Sequence, residues 1–165
     1  MGAFADNPAL YSATMNVNFS ESDRLFSDVS FMLYDIDIGS VWQDRVSIIG
    51  FSSNGEIAPE FTIENTDYVE QVDNYTLDGI KNSSNDVDTS NVLVSFSSSI
   101  SGFHLIFTDG DDIESSIDPS SHGIGIGDIY YTQEPNDVPE PASTLGLLVL
   151  GIIGLYSRLK TRRSY

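Results

Sequence analysis

The chain has 165 residues, enough for one domain of ordinary size, and its 40% hydrophobic and 11% aromatic content supplies the apolar area for a core. All 25 acidic residues lie at or before Glu140, and residues 1–141 hold only three of the seven basic ones, so that part carries a net charge of −22 against −18 for the whole. Such a field repels phosphate backbones and excludes nucleic acid as a partner, and the lack of cysteine excludes disulfides, zinc–thiolate sites and thiol nucleophiles; cations and neutral glycans stay compatible.

The first eleven residues, MGAFADNPALY, have no basic stretch followed by an apolar run and do not form a secretory signal. From residue 13 to 132, short alternating apolar runs are separated by clusters of Ser, Asn, Asp and Gly, the pattern of strands and turns. Strands are expected at residues 13–19, 28–36, 45–52, 59–63, 68–72, 74–77, 92–97, 102–108 and 125–131. Eight or nine short strands with almost no helical periodicity predict an all-β fold, a jelly-roll-like β-sandwich occupying residues 1–133. The polar, aperiodic stretches 81–90 and 109–123 are expected to be surface loops.

Asp35 and Asp37 stand two apart at the end of a strand and share one face, Gly39 permits a turn, and Asp44 opens the next strand. Asp128 joins them as a candidate, because a jelly roll brings its last strand beside its first. Together these four form a candidate calcium site, since calcium takes roughly six to eight oxygen ligands and a loop between strands supplies both carboxylates and carbonyls. The same aspartates serve equally well as turn starters and backbone caps. The segment DGDDIE, residues 109–114, is dense in acid but lacks the spacing of a calcium-binding EF-hand loop, and reads as a solvated loop. Trp42 is the candidate ligand-contact residue, with Tyr34, Tyr68, Tyr130 and Tyr131 as further rings able to stack on a sugar; each also suits the cover of a sandwich core.

His104 falls on the solvent face of the strand FHLIF and His122 in a Gly-rich loop, and neither has a Ser–acid partner at a recognisable spacing. The stretch GIGIGD leads into a strand, so no helix N-terminus follows to receive phosphate. No pair of catalytic carboxylates stands out, and no enzyme is expected.

Residues 134–141 form a linker rich in Pro and acid, residues 142–157 an apolar segment and residues 158–165 a basic tail. The uninterrupted run from Leu145 to Tyr156 gives about 18 Å of helix, or about 23 Å with Ala142, Ser143 and Thr144, against a hydrocarbon core of roughly 30 Å. It has no polar face, which predicts a single short transmembrane helix, and Arg158, Lys160, Arg162 and Arg163 set its basic end in the cytoplasm. The acidic domain is then expected outside the cytoplasm.

Pro139-Glu140-Pro141, the apolar run and the basic cluster together resemble the PEP-CTERM sorting signal of Gram-negative bacteria. The resemblance implies recognition by an exosortase, a membrane-embedded protease that cuts near the triplet and passes the protein from the inner membrane to the cell surface or the extracellular matrix. Proteins sorted in this way need an N-terminal export signal, so the natural start is expected upstream of Met1. Residues 30–55, SFMLYDIDIGSVWQDRVSIIGFSSNG, and residues 122–131, HGIGIGDIYY, resemble β-sandwich domains of bacterial surface proteins. The expected function is a structural or adhesive one in an exported protein; the alternative is a calcium-dependent module that binds or degrades exopolysaccharide.

Overall fold

The structure is a computed structural model and describes residues 12–19, 25–84, 87–112 and 123–133. The chain divides into two units, Met1–Glu134 and Pro135–Tyr165. The linker, the apolar segment expected to cross the membrane and the basic tail, residues 134–165, lie outside the described residues. No helix among the described residues is long and apolar enough to cross a membrane.

The strands are β1 (Ser12–Asn18), β2 (Phe26–Tyr34), β3 (Asp44–Ser52), β4 (Gly55–Ile57), β5 (Glu60–Ile63), β6 (Val69–Gln71), β7 (Thr76–Gly79), β8 (Val92–Ser95), β9 (Gly102–Asp109), β10 (Gly125–Ile126) and β11 (Tyr130–Gln133). One sheet runs β1-β9-β3-β7-β6, with β4 also on β3; the other runs β10-β2-β8-β5, with β11 also on β2. Every pairing is antiparallel, as a β-sandwich requires.

Alternation decides which face turns inward. In β2 the buried residues are Val29, Phe31 and Leu33, in β3 Val46 and Ile48, in β8 Val92 and Val94, and in β9 Phe103, Leu105 and Phe107. The two inner faces meet where Phe31 of one sheet stacks on Phe103 of the other, ring centroids 4.8 Å apart and planes within 13°. Burying each such ring contributes about 2–3 kcal/mol, so this pair lies at the energetic centre of the sandwich.

Two departures from the expected strands have local causes. The segment expected as one strand at residues 125–131 is two, because the register against β2 is broken twice. From Ile126 opposite Leu33 to Tyr130 opposite Ser30, this side advances four residues against three of β2. From Tyr130 to Thr132, β2 then advances three residues against two. The extra residue in β2 is accommodated at Asp28, whose φ of 54° lies in the left-handed region that Asp tolerates better than most side chains. Strand β4 carries no sequence signal of its own. It is three residues long and is held by the tight turn at Ser53 and Asn54, with Gly55 at φ 115°.

The glycines of GIGIGD have a packing explanation. A Cβ on Gly125 or Gly127 would stand 3.1 Å from Tyr34, so the Tyr34 ring lies over a strip of bare backbone on the outer face of its sheet.

Candidate functional site

At one end of the sandwich four chain segments converge: the β2–β3 connection, the chain after β7, the 3-10 turn Asp88–Ser90, and the end of β9 with the residues after it. Strand β2 ends at Tyr34, and at the next residue, Asp35, φ is 65° and the backbone N–H points to Asn91 Oδ1 at 3.4 Å. Ile36 N–H then donates to Ser90 O at 3.1 Å, anchoring the chain between the two aspartates.

Residues 37–44 form a tight hairpin. Asp44 N–H donates to Asp37 O at 2.9 Å, Asp37 N–H donates to Asp44 Oδ2 at 3.3 Å, and Ile38 bridges Gln43. Asp37 Oδ2 also accepts from Ser83 N–H at 2.7 Å, which ties the chain beyond β7 to this hairpin. Gly79 lies so close to Asp37 O that a Cβ there would collide with the backbone. Trp42 is half-buried and lies over Gly39, where a Cβ would meet its indole ring. It therefore belongs to the hairpin and is not one of the residues of the hydrophobic core.

Three of the four candidate metal ligands are thus brought together: Asp35, Asp37 and Asp44. Strand pairing adds a fourth acid, because Asp44 stands directly opposite Asp109 in the β3–β9 ladder. Burial pushes the Asp44 carboxyl up to about 7, against the hydrogen bond from Asp37 N–H and helped by the charges of Asp37, Asp35 and Asp109. Asp37 is raised by burial and by Asp35, with Ser83 N–H acting the other way, and Asp35 is raised by burial. Asp128 is not a member of this group. It falls in the irregular stretch between β10 and β11, where the register sets it beside Phe31 and Met32, about 10 Å down β2 from Asp35. Among the described residues no group of three or more His, Cys, Asp or Glu side chains is disposed to hold a metal ion.

Of the segment read as a solvated loop, the described residues Gly110, Asp111 and Asp112 include two exposed aspartates and are also tied to the hairpin and β3. Fully buried Gln43 donates to Gly79 O at 2.9 Å and to Asp112 Oδ2 at 3.0 Å, accepts from Asp112 N–H at 2.9 Å, and receives Gly110 N–H on its carbonyl. Arg45 forms a two-bonded pair with the buried Asp78, at 2.7 and 2.6 Å, and reaches Asp111 at 2.6 Å. The guanidinium is held above its ordinary pKa first by the Asp78 hydrogen bonds and also by those of Asp111. Lys81 is engaged too, with its ammonium 4.4 Å from the centre of the Tyr68 ring.

Among the other candidates, Tyr34, Tyr130 and Tyr131 are exposed, and Tyr131 packs on Phe19 and Phe26. His104 lies on the outer face of β9 with its ring edge-on to Phe51 at 4.3 Å. His122 and the sorting residues Pro139, Glu140, Pro141, Arg158, Lys160, Arg162 and Arg163 lie outside the described residues.

Sequence reading missed Gln43, Asp109 and the Arg45–Asp78 pair as parts of this end. Their signal is register, which appears only once β3 is laid against β7 and β9.

No curated protein and no solved structure matches the chain. Residues 137–163 match the family model of the PEP-CTERM protein-sorting motif, which marks a protein that an exosortase sorts to the cell surface.

Proposed function

We propose that the chain is a structural or adhesive component of the bacterial surface or its matrix, displayed outside the cytoplasm after its sorting segment has been cut. The carrying observation is the sorting motif at residues 137–163, joined to a domain whose converging acids are engaged in holding loops together. In this reading residues 142–157 hold the precursor in the inner membrane and the basic cluster fixes its orientation. The jelly-roll connectivity belongs to the same reading. It is supported by the strand order β1-β9-β3-β7 in one sheet and β2-β8-β5 in the other, with β1, β2 and β3 alternating between sheets. Replacing Pro139, Glu140 and Pro141 together by Ala tests the sorting route in the native host. The uncut precursor should accumulate in the inner membrane and the surface form should vanish. Unchanged cutting and display would overturn this reading.

A second reading is a calcium-dependent polysaccharide-binding module, favoured by the convergence of Asp35, Asp37 and Asp44 beside the half-exposed Trp42. A calcium ion there would offset the burial that raises Asp44 and the carboxylate repulsion that adds to it, after drawing the oxygens closer than they now stand. Millimolar calcium should then raise the melting temperature beyond the effect of magnesium at equal ionic strength, and Asp44→Asn should abolish the difference. Equal melting temperatures with both ions would leave the structural role alone.

A further inference from the structure

Among the described residues, strand β1 is an edge. It pairs along its whole length with β9, from Ser12 opposite Thr108 to Asn18 opposite Gly102, and no strand among the described residues lies on its other side. An edge of this length is ordinarily protected by a charge, a proline, a bulge or a cover. Here the sequence SATMNVN has no charge and no proline, and its register runs unbroken. In a chain with 25 acidic residues, seven consecutive neutral ones at a sheet edge form a window through which two like-charged copies can approach.

The direction of the free backbone groups follows from one hydrogen bond. Phe19 N–H donates to Ser101 O at 3.1 Å, so Phe19 directs its backbone groups toward β9. By strand alternation Val17, Met15 and Ala13 do the same. The backbone N–H and C=O groups of Ser12, Thr14, Asn16 and Asn18 therefore point outward. The side chains alternate as well: Met15 and Val17 are partly buried against the core, while Ser12, Thr14, Asn16 and Asn18 are exposed.

We infer that the outer edge of β1 pairs antiparallel with the same edge of a second copy of this chain, about a two-fold axis at Met15. That register puts Thr14 opposite Asn16 and Ser12 opposite Asn18 of the other copy as hydrogen-bonded pairs, using the groups that point outward. It puts Ala13 opposite Val17 and Met15 opposite Met15 on the core side, so each copy covers the half-exposed apolar face of the other. Apolar meets apolar and polar meets polar along the whole strand. A single edge pair joins the two six-stranded sheets into one and makes a weak contact, suited to many copies held side by side on a surface.

Chemical cross-linking of the full chain in detergent micelles tests this, because the protein has no cysteine of its own. Met15→Cys should give a disulfide-linked dimer on mild oxidation, since self-opposed residues in a non-hydrogen-bonded pair bring their Cβ atoms within disulfide reach. Ser53→Cys, in the turn between β3 and β4, should give several-fold less. Adding Asn16→Lys to Met15→Cys should abolish the cross-link, with an unchanged melting temperature confirming that the domain still folds. Equal dimer from Ser53→Cys and Met15→Cys, or none from Met15→Cys, would overturn the inference.

Discussion

At the scale of the residue, Asp44 has the clearest thermodynamic consequence. Its carboxyl is raised from 3.8 to about 7 in the folded chain, so the native state binds a proton between those values that the unfolded chain has released. Stability from this group is fully present below about pH 4 and is lost as pH rises through about 7, a swing of the order of 4 kcal/mol. The melting temperature should therefore fall between pH 5 and pH 8. Asp44→Asn keeps the shape, removes the charge and should flatten that slope. The chain's one tryptophan reports on the same place, because Trp42 lies in the hairpin that Asp37 and Asp44 close. Its emission should titrate with Asp44 in the parent chain and not in the variant. A slope equal in both proteins would assign the pH response to the remaining carboxylates. The aspartates at 35, 37 and 44 were legible in the sequence because they are close along the chain. Asp109 was not, because its partnership with Asp44 exists only through the β3–β9 register.

At the scale of the element, β3 is the organising strand, since it pairs with β4, β7 and β9 and carries Gln43 and Arg45 at its entrance. Its alternating pattern made it readable in advance, as did that of β2 and β9. The short strand β4 and the doubly bulged β10–β11 edge were not readable, because two or three residues hold no periodicity and a bulge is a property of a pair of strands. The Arg45–Asp78 pair spans β3 and β7, and the two partners differ in depth: Asp78 is almost fully buried while the side chain of Asp111 is 84% exposed. Arg45→Met strands a buried carboxylate and should cost about 1–3 kcal/mol, read from the urea midpoint of unfolding. Asp111→Asn loses only a screened surface contact and should cost less than about 1 kcal/mol. Comparable losses for both would mean that the segment after β9, and not the buried pair, holds this end together.

At the scale of the molecule, the division of charge matters more than its total. Residues 1–141 carry the entire acidic excess, so added monovalent salt screens the repulsion within the domain. The melting temperature at neutral pH should rise by several degrees between about 10 mM and 500 mM salt, a range over which the screening length falls from roughly 30 Å to below 5 Å. A flat response would mean that the acids are spaced too widely to interact. The sandwich class and the sorting segment were both visible in the sequence, one through alternation and the other through a compact linear pattern. The way the loops are pinned at one end was not visible, because it depends on segments far apart along the chain, such as Gln43 with Asp112 and Asp37 with Ser83.

Arg45 is taken by Asp78 and Asp111, so among the described residues Lys81, set over the Tyr68 ring, is the one Lys or Arg left to answer the surface acids, and these keep a large negative excess. In the proposed surface role, a layer of such domains would be a fixed polyanion whose mobile counterions hold water by osmotic pressure, swelling in fresh water and contracting in brine.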